Sequence, residues 1–473
     1  MENKNRDKTR RNGGFHKNAG RAPRAEKKAS ARDAALYALT NVVQNGAYAS
    51  EALSRQLTLR PLSDEDRRLA TNIFYTAAEN RLRLEYALQR FVETQPDPTV
   101  WDILNIAAAQ LLLLSHIPDH AAVDEAVKQA RAAHREGLTG MVNAVLRNLI
   151  RARDAGEDLL PDREADPIRY ISVTYSLGEH IVRRLSDAYG LEAAEQIAAW
   201  RPEERLQTVR PNRTQTTLEA FQAYLNNRGL EWRQGLLEDS FLVRGGGDLA
   251  GLDAYRHGLF SLQGESSMLA ARAVEAKPGQ SILDACAAPG GKSAYIAETM
   301  QNTGRVYAWD VYEHRVGLIK STAQRLRLDN LRPSVHDARR PSPQLERAMD
   351  AVLVDAPCSG IGVIADKPDI KYRLSEQNLN ELLPLQREIL DGCADCVKPG
   401  GLLVYSTCTI LPEENEAQAR AFLERHPDFE PEPRVDYLPE RLRPLAKDGR
   451  LQLMQHRDGV EGFFIARMRR KRG

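Results

Sequence analysis

The chain has 473 residues, with 66 Lys and Arg against 65 Asp and Glu and a formal net charge of +1. At roughly 150 residues per domain, this length predicts about three domains. The sequence contains no signal peptide, no apolar run long enough to span a bilayer, and an odd number of cysteines, five. We therefore expect free thiols in a reducing, cytoplasmic compartment and no membrane partner.

Basic residues are concentrated at the two ends of the chain. Residues 1–28 carry ten Lys or Arg against three Asp or Glu, and the chain ends in Arg467, Arg469, Arg470, Lys471 and Arg472. We interpret residues 1–30 as a disordered basic tail. Such a tail is typically solvated, but it can also hold a polyanion through phosphate contacts without sequence preference.

Residues 31–151 repeat apolar side chains at three- and four-residue spacing, which predicts an all-α bundle of five or more helices. The stretch RRLATNIFYTAAENRLRLEYALQRF is predicted as one helical segment. Just before it, Ser63 with Asp66 three residues later resembles a helix-capping signal. Residues 152–167 are acidic and contain two prolines, which predicts a linker.

Residues 168–265 predict a small α/β connector with helices, two short strands in LQTVRPNRT and SFLVRGG, and one further helix. Arg210 and Arg213 lie in the first of these strands, where they could face a substrate or simply be solvated. From 266 to 473 apolar strand segments alternate with helical ones, which predicts a doubly wound, mostly parallel sheet. The last two strands, RLQLMQH and GFFIARM, are expected to form an antiparallel hairpin at one edge of this sheet.

The loop DACAAPGGKS follows the first strand of the alternating region. Its small residues let the backbone approach a ligand closely, and the next helix offers free N–H groups. A P-loop would need a glycine where Cys286 stands, and the dinucleotide fingerprint G-x-G-x-x-G is absent. The third candidate is S-adenosylmethionine, whose methionine moiety and ribose fit a tight glycine turn and which has no phosphate to bind.

Two later aspartates fit the same cofactor. Asp310 closes the strand RVYAWD, where its carboxylate can accept from both ribose hydroxyls, and Asp337 closes RPSVHDA, where it can accept from the adenine amino group. Aspartates at strand ends are also common as turn formers. Their order around one end of a single sheet favours the cofactor interpretation.

Cys358 and Cys408 each follow a buried apolar run, in AVLVDAPCSG and GLLVYSTCT. Ligands of open α/β sheets bind outside the carboxyl ends of the strands, so both thiols are expected in one cleft, although free cysteines also serve as small buried hydrophobes. Carbon-5 of cytosine is too weak a nucleophile to attack a sulfonium methyl unless a thiolate first adds to carbon-6. One thiol suits that addition, a second polar group suits the later elimination, and Asp355 can hold the cytosine N3 edge.

The motifs DACAAPGGK, DAPCSG, YSTCT and DGVEGFFIARM, with GMVNAVLR and FSLQGESSMLAA earlier in the chain, resemble those of the RNA 5-methylcytosine methyltransferases. The resemblance is to the bacterial small-subunit ribosomal RNA type with an N-terminal NusB-like domain, and it covers nearly all of residues 31–467. It implies a NusB-like RNA-binding bundle at 31–151, an RNA-contacting connector at 168–265 and a Rossmann-like methyltransferase domain at 266–473. It also implies that Cys408 is the nucleophile, that Cys358 assists product release, and that Asp355 lies near the cofactor as well as the base. By the same resemblance, the remaining residues that surround S-adenosylmethionine are Cys286, Ala287, Ala288, Pro289, Gly290, Gly291, Lys292, Asp310 and Asp337.

Three alternatives stay open from the residues alone. The DNA cytosine methyltransferases use a Pro-Cys nucleophile, which would here be Cys358. The substrate could be transfer RNA instead of 16S ribosomal RNA, or the chain could be an antitermination-like RNA-binding module without activity. We expect an RNA partner and no DNA, no bound metal, and a monomeric protein.

Cys393 and Cys396 form a C-x-x-C, but no second ligand pair follows at zinc spacing, so we expect both in the core.

Overall fold

The computed structural model describes residues 30–472 except 203, 205, 245–248 and 341. The predicted basic tail therefore lies outside the described residues, apart from Ser30. The described N-terminal region is an all-α bundle. Its helices are α1 (Ala31–Asn45), α2 (Ala49–Leu59), α3 (Asp64–Glu79), α4 (Arg81–Gln89), α5 (Pro98–Leu113), α6 (Asp119–Ala132) and α7 (Thr139–Asp154).

Helix α5 is the centre of this bundle, because its residues from 100 to 111 are buried on every face. A helix that is apolar all round has to be covered by its neighbours. The predicted cap of α3 is confirmed, since the Ser63 hydroxyl accepts the Asp66 N–H at 3.1 Å. The single helix predicted for residues 67–91 is wrong: Asn80 leaves helical geometry (φ −117°, ψ 20°) and separates α3 from α4.

Three short helices follow the bundle, namely α8 (Pro167–Tyr175), α9 (Glu179–Tyr189) and α10 (Leu191–Ala199). The connector then forms a four-stranded antiparallel sheet in the order β2-β3-β1-β4. Its elements are β1 (Leu206–Pro211), α11 (Leu218–Asn227), β2 (Glu231–Gln234), β3 (Phe241–Arg244), α12 (Asp253–Arg256) and β4 (Phe260–Leu262). The strands β1 and β3 and the helix α11 were predicted, whereas β2 and β4 were not.

The C-terminal region is a sheet in the order β10-β12-β9-β8-β5-β6-β7, with β11 also paired to β12. The strands β5 to β9 pair in parallel, while β12 is antiparallel to β9, β10 and β11. The predicted mostly parallel sheet and its terminal hairpin are confirmed. The elements are α13 (Glu265–Arg272), β5 (Ser281–Asp284), α14 (Gly291–Thr299), β6 (Arg305–Asp310), α15 (Glu313–Leu326), β7 (Leu331–Val335), β8 (Met349–Asp355), α16 (Ile370–Arg373), α17 (Glu376–Ala394), β9 (Val397–Thr407), α18 (Glu416–Arg425), β10 (Phe429–Pro431), β11 (Arg450–Leu453), α19 (Gln455–Asp458) and β12 (Phe463–Arg470).

Helices cover both faces of this sheet, as a doubly wound fold requires. Side chains of α13, α14 and α15 pack against one face, and side chains of α17 and α18 pack against the other. The strand order reverses between β5 and β8, which is the point where such sheets bind their ligands. No helix among the described residues is long and apolar enough to cross a membrane.

The two interpretations of Arg210 as substrate-facing or solvated are both wrong. Its side chain is fully buried and forms a two-pronged ion pair with Glu298 on α14, with Nη2 to Oε1 at 3.2 Å. Its Nε donates to Gln263 at 3.0 Å, and its guanidinium lies 4.4 Å from the Tyr295 ring centroid. Arg210 therefore joins the connector sheet to helix α14 of the C-terminal region, while Arg213 is exposed.

The C-terminal basic residues are also partly internal. Arg467 is fully buried and pairs with Glu275, and Arg470 is buried and donates to the carbonyls of Ala394 and Val397. Both guanidinium groups are engaged by partners inside the protein, so Arg467 and Arg470 are not available to bind a polyanion at the surface.

We predict that Glu298→Gln lowers the free energy of unfolding by about 3–5 kcal/mol, because Arg210 is left buried without a counter-charge. Urea denaturation followed by tryptophan fluorescence measures this change. The matched control is Arg244→Ala, which removes an exposed ion pair with Glu204 and should cost less than about 1 kcal/mol. Equal losses in the two variants would contradict a structural role for the buried pair.

Candidate active site

Polar side chains terminate four strands at the same edge of the large sheet. Asp284 ends β5, Asp310 ends β6, Asp355 ends β8 and Thr407 ends β9. These strands run parallel, so their carboxyl ends open into one cleft on both sides of the point where the strand order reverses. The site predicted at these strand ends is therefore one continuous region.

The two thiols predicted to act together are adjacent. The Sγ atoms of Cys358 and Cys408 are 3.4 Å apart, and both cysteines are partly buried and free of disulfides. Backbone contacts hold their loops together: the Gly362 N–H donates to the Cys408 carbonyl at 3.0 Å, and the Gly462 N–H to the Gly362 carbonyl at 2.8 Å. A Cβ on Gly362 would lie 2.0 Å from the Gly462 oxygen, so only glycine permits this approach.

The surroundings of the two sulfurs differ in charge. The hydrogen bond from Cys358 lowers the pKa of Cys408, and although burial and Asp355 oppose this, the charges of Lys367 and Lys292 lower it further. The same hydrogen bond, burial and the charges of Glu414 and Asp355 raise the pKa of Cys358. The thiolate is the nucleophilic form of cysteine, and these pKa shifts favour a thiolate at Cys408 and a thiol at Cys358.

Asp355 lies beside the thiols and is held from two sides. Lys292 Nζ donates to its Oδ2 at 2.7 Å, and the Ser406 hydroxyl donates to its Oδ1 at 2.8 Å. Burial acts to lower the pKa of Lys292, but the adjacent Asp355 carboxylate raises it above the ordinary value. Lys292 is thus a fixed cation in the cleft, with its ammonium 5.4 Å from the centroid of the Phe463 ring.

The predicted cofactor loop forms a tight turn between β5 and α14. The Ala287 N–H donates to the Trp309 carbonyl at 2.8 Å, and the Gly290 N–H to the Ala287 carbonyl at 2.7 Å. Gly290 has φ +104°, and a Cβ there would stand 3.3 Å from Ile319 Cα, so a side chain would be both strained and crowded. Burial, followed by the nearby aspartates, raises the pKa of Cys286, which makes it an unreactive thiol beside the loop.

Asp284 was not predicted as a site residue, although it begins the loop motif. It is fully buried, and its Oδ2 accepts the Ser293 hydroxyl at 2.6 Å, while its Oδ1 has no hydrogen-bond partner among the described residues. Burial raises the pKa of Asp284 to about 7. An unpaired oxygen of this kind is suited to a cationic or N–H donor, and the strand-end rule that selected Asp310 could have found it.

The other two predicted aspartates, Asp310 and Asp337, differ in how far their carboxylates are already engaged by other residues. Asp310 is buried at the end of β6, where its Oδ1 accepts the Tyr312 N–H at 3.2 Å and Arg315 lies 3.4 Å from Oδ2. Asp337 follows β7 and is engaged by Arg339, whose Nη2 lies 2.7 Å from Oδ2. The hydrogen bonds from Arg339 hold the pKa of Asp337 below its ordinary value. A ligand at Asp337 would therefore have to share that carboxylate with Arg339.

Cys393, on α17, and Cys396, just before β9, are buried in the core, as predicted. Among the described residues, no group of three or more His, Cys, Asp or Glu side chains could hold a metal ion.

Comparison with known proteins identifies the family. A sequence model of the family described as 16S rRNA methyltransferase RsmB/F matches residues 271–469, and a model of the NusB family matches residues 29–151. A probable ribosomal RNA small subunit methyltransferase B of Bacillus subtilis is 40% identical over 449 residues, covering 94% of this chain and 100% of the relative. The chain belongs to the RsmB/F family of 16S rRNA methyltransferases.

Further relatives agree with this assignment. The ribosomal RNA small subunit methyltransferase B of Escherichia coli O1:K1 / APEC is 31% identical, covering 94% of this chain and 100% of the relative. The crystal structure of PH0851 has a TM-score of 0.79 at 26% identity and covers 93% of this chain and 100% of that chain. A methyltransferase homologue from Pyrococcus horikoshii, 27% identical, has a TM-score of 0.53 and covers 64% of this chain and 99% of that chain. The predicted resemblance and the predicted fold are confirmed, and the chain is an S-adenosylmethionine-dependent RNA methyltransferase.

We predict that Cys408 is alkylated by iodoacetamide with a pH midpoint below the ordinary thiol pKa of 9.0, because alkylation follows the thiolate fraction. Lys292→Met should move that midpoint to higher pH, since it removes a cation and leaves Asp355 unpaired beside the sulfur. Peptide mass mapping over a pH series measures the rate at each cysteine. Lys320→Met, which removes an exposed lysine of α15, should leave the midpoint in place. An unshifted midpoint in Lys292→Met would contradict the electrostatic role of Lys292.

Proposed function

We propose that this methyltransferase transfers a methyl group to carbon-5 of a cytosine in 16S rRNA through a covalent bond between Cys408 and the base. The observation that carries the proposal is the pair of thiols 3.4 Å apart at the ends of adjacent strands. Methylation of an exocyclic nitrogen or a ribose oxygen would have no use for two sulfurs at one position. Carbon-5 chemistry needs one group to add and another to help it leave.

In the proposed reaction the Cys408 thiolate forms a bond to carbon-6 of cytosine, and the resulting electron-rich carbon-5 takes the methyl group. Water in the cleft accepts the proton on carbon-5, the electrons of that bond re-form the carbon-5–carbon-6 double bond, and the bond to Cys408 breaks with its electron pair returning to sulfur. The Cys358 thiol stabilises the departing Cys408 thiolate by donating a hydrogen bond to it. The charge asymmetry of the two sulfurs supports this division of roles.

Asp355 is proposed to bind the N3 edge of the base. Its side chain is 25% exposed in the cleft, and Lys292 and Ser406 fix its orientation from the two sides. The carboxylate stabilises a proton that N3 takes up from solvent, and protonated N3 withdraws electrons from the ring, so carbon-6 becomes easier to attack.

The residues of the loop fit S-adenosylmethionine. When bound, this cofactor supplies a methyl group on a sulfonium centre. The crowded turn at Gly290 lets backbone of residues 286–292 approach a ligand, and the unpaired Asp284 Oδ1 suits a cationic amino group. Asp310 is proposed to accept from the ribose hydroxyls, and Asp337, shared with Arg339, from the adenine amino group.

The helical region, residues 31–151, is proposed to bind RNA close to the cleft. Support comes from residues that follow Cys358 in the chain: Lys371 donates to the Glu79 carbonyl at 3.0 Å, and Arg373 to the Gly46 carbonyl at 2.9 Å. The guanidinium of Arg373 also lies 3.9 Å from the centroid of the exposed Tyr48 ring. RNA held on α1 and α2 would thus lie beside the segment that leads to the thiols.

We predict that Asp310→Ala weakens S-adenosylmethionine binding by about 1.5–3 kcal/mol, the range for hydrogen bonds to a charged group. Isothermal titration calorimetry with the full chain measures the affinity. Glu313→Ala, three residues further on and exposed, is the matched control and should bind normally. Unchanged affinity in Asp310→Ala would remove Asp310 from the cofactor site.

We predict that Cys408→Ala abolishes both methylation and covalent attachment to RNA, whereas Cys358→Ala still attacks and transfers the methyl group but stalls at elimination. The second variant should accumulate a protein–RNA complex that survives denaturing electrophoresis, because blocking a later step traps the product of an earlier one. Labelled S-adenosylmethionine and 16S rRNA report both events in one assay.

Cys396→Ala is the matched control for losing a thiol, since this cysteine is buried away from the cleft, and it should methylate RNA without accumulating a complex. The reverse pattern, with a trapped complex in Cys408→Ala and none in Cys358→Ala, would assign the attack to Cys358. Transfer of the label to RNA by both cysteine variants at the normal rate would reject the covalent route.

A further inference from the structure

Glu414 is nearly fully buried behind the thiol pair, with 1% of its surface exposed. Its two carboxylate oxygens contact different loops. Oε2 accepts the Ser359 N–H at 2.9 Å, directly after Cys358, and Oε1 accepts the Thr409 hydroxyl at 3.2 Å, directly after Cys408. One side chain therefore bridges the residues that follow each reactive cysteine.

Further hydrogen bonds fix this bridge in place. Gln386 on α17 donates to Glu414 Oε2 at 2.9 Å and to the Pro357 carbonyl at 3.0 Å. The hydroxyls of Ser359 and Thr409 are themselves hydrogen-bonded at 2.7 Å. The Tyr405 hydroxyl, on the strand that leads to Cys408, donates to the Glu414 carbonyl at 2.6 Å.

We propose that Glu414 is a positioning residue, which sets the distance between the Cys358 and Cys408 sulfurs by holding the two loops to one carboxylate. Its role in catalysis rests on the proposed function, but its role in spacing the thiols does not. Glu414 does not face the reacting base; it acts through the two cysteines.

A carboxylate in this place is costly unless its oxygens are hydrogen-bonded, and burial raises the pKa of Glu414 despite the donors around it. An apolar side chain would avoid that cost but would leave the Ser359 N–H and the Gln386 amide without this acceptor. The negative charge also contributes, after the Cys408 hydrogen bond and burial, to the raised pKa of Cys358. The same residue thus helps to keep Cys358 in the thiol form that donates to Cys408.

The first test compares Glu414→Ala with Glu414→Gln in the full chain. The alanine variant frees both loops, and kcat for 16S rRNA methylation should fall about 100-fold, as expected for a displacement of about 1 Å at the reacting groups. The glutamine variant keeps one acceptor for Ser359 and Gln386 and can donate its amide to the Thr409 hydroxyl, so kcat should stay within about threefold of wild type. KM for RNA and S-adenosylmethionine affinity should be unchanged in both variants, because neither ligand touches Glu414.

Asn330→Ala is the matched control. Asn330 is a buried amide between α15 and β7 that donates to the Thr303 carbonyl at 3.0 Å, away from Glu414 and both cysteine loops, so kcat should remain at the wild-type level. Thr409→Val is a second test variant. It keeps the size of the side chain but removes the hydroxyl that donates to Glu414, and it should lower kcat as Glu414→Ala does.

The second test measures the thiol spacing without any catalysis. Phenylarsine oxide condenses with two neighbouring thiols, forms two arsenic–sulfur bonds and releases one water. Peptide mass mapping should find one arsenical bridging Cys358 and Cys408 in the wild type and in Glu414→Gln. The apparent affinity for this bridge should fall at least tenfold in Glu414→Ala and in Thr409→Val.

The outcomes separate the two proposals. Wild-type protein that bridges the arsenical but does not methylate cytosine would reject the proposed function and leave the spacing role intact. Wild-type protein that methylates, with Glu414→Ala and Thr409→Val that turn over and bridge normally, would overturn the role of Glu414. If Glu414→Ala loses cofactor binding and fails to fold, the Thr409→Val result decides the question alone.

Discussion

The parallel pairing of β8 with β9 is the constraint on which the site depends, because it sets side by side the two segments that carry the thiols. Asp355 lies opposite Ser406 in this register, and the pairing continues past the strands as the Ala356 N–H donates to the Ser406 carbonyl at 2.9 Å. Side chains alternate along a strand, so a slip of one residue would turn each of them to the opposite face. Such a slip would separate Asp355 from Ser406 and Cys358 from Cys408 together.

This geometry explains how the buried thiol of Cys408 can have a lowered pKa. Removing a sulfur from water disfavours the thiolate, and the site counters this with a thiol donor at 3.4 Å and with the cation of Lys292. Lys292 is paired with Asp355, so its charge also fixes the orientation of that carboxylate in the cleft. The cofactor loop, whose last residue is Lys292, is therefore connected by this ion pair to Asp355, the residue proposed to bind the cytosine.

The sequence predicted the strand-end residues well because each follows an apolar run whose carboxyl end must open into the cleft. That rule placed Cys358, Cys408, Asp355 and Asp310. It also covers Asp284, which ends β5, but it was not applied to that residue. The strands β2 and β10 were missed because EWRQ and FEP are too short or too polar to carry a pattern. Glu414 could not be found, because an acidic residue in LPEENE is indistinguishable from a solvated one until the fold buries it.

Arg210 and Asn80 are two further residues whose contacts could not be predicted from the local sequence. A basic residue on a short strand gives no sign that an acidic partner 88 positions away will cover it, since the ion pair forms only when the connector packs on α14. Asn80 is preceded and followed by helical periodicity, so the break between α3 and α4 is a local choice: its side chain donates to the Thr76 carbonyl at 2.9 Å. Local hydrogen bonding of this kind competes with helix continuation.

A partly buried lysine, Lys371, lies at the contact between the helical region and the segment that follows Cys358. Burial, with a smaller contribution from Arg201, lowers the pKa of Lys371 to about 7, and its Nζ faces two backbone carbonyls, those of Glu79 and Tyr175, each at 3.0 Å. The neutral form of the amine, which a lowered pKa favours, has two N–H donors that match these two acceptors. Tyr372 donates to the Ala78 carbonyl beside it. Because this segment follows the Cys358 loop in the chain, the contacts of Lys371 and Tyr372 fix where that loop meets the helical bundle.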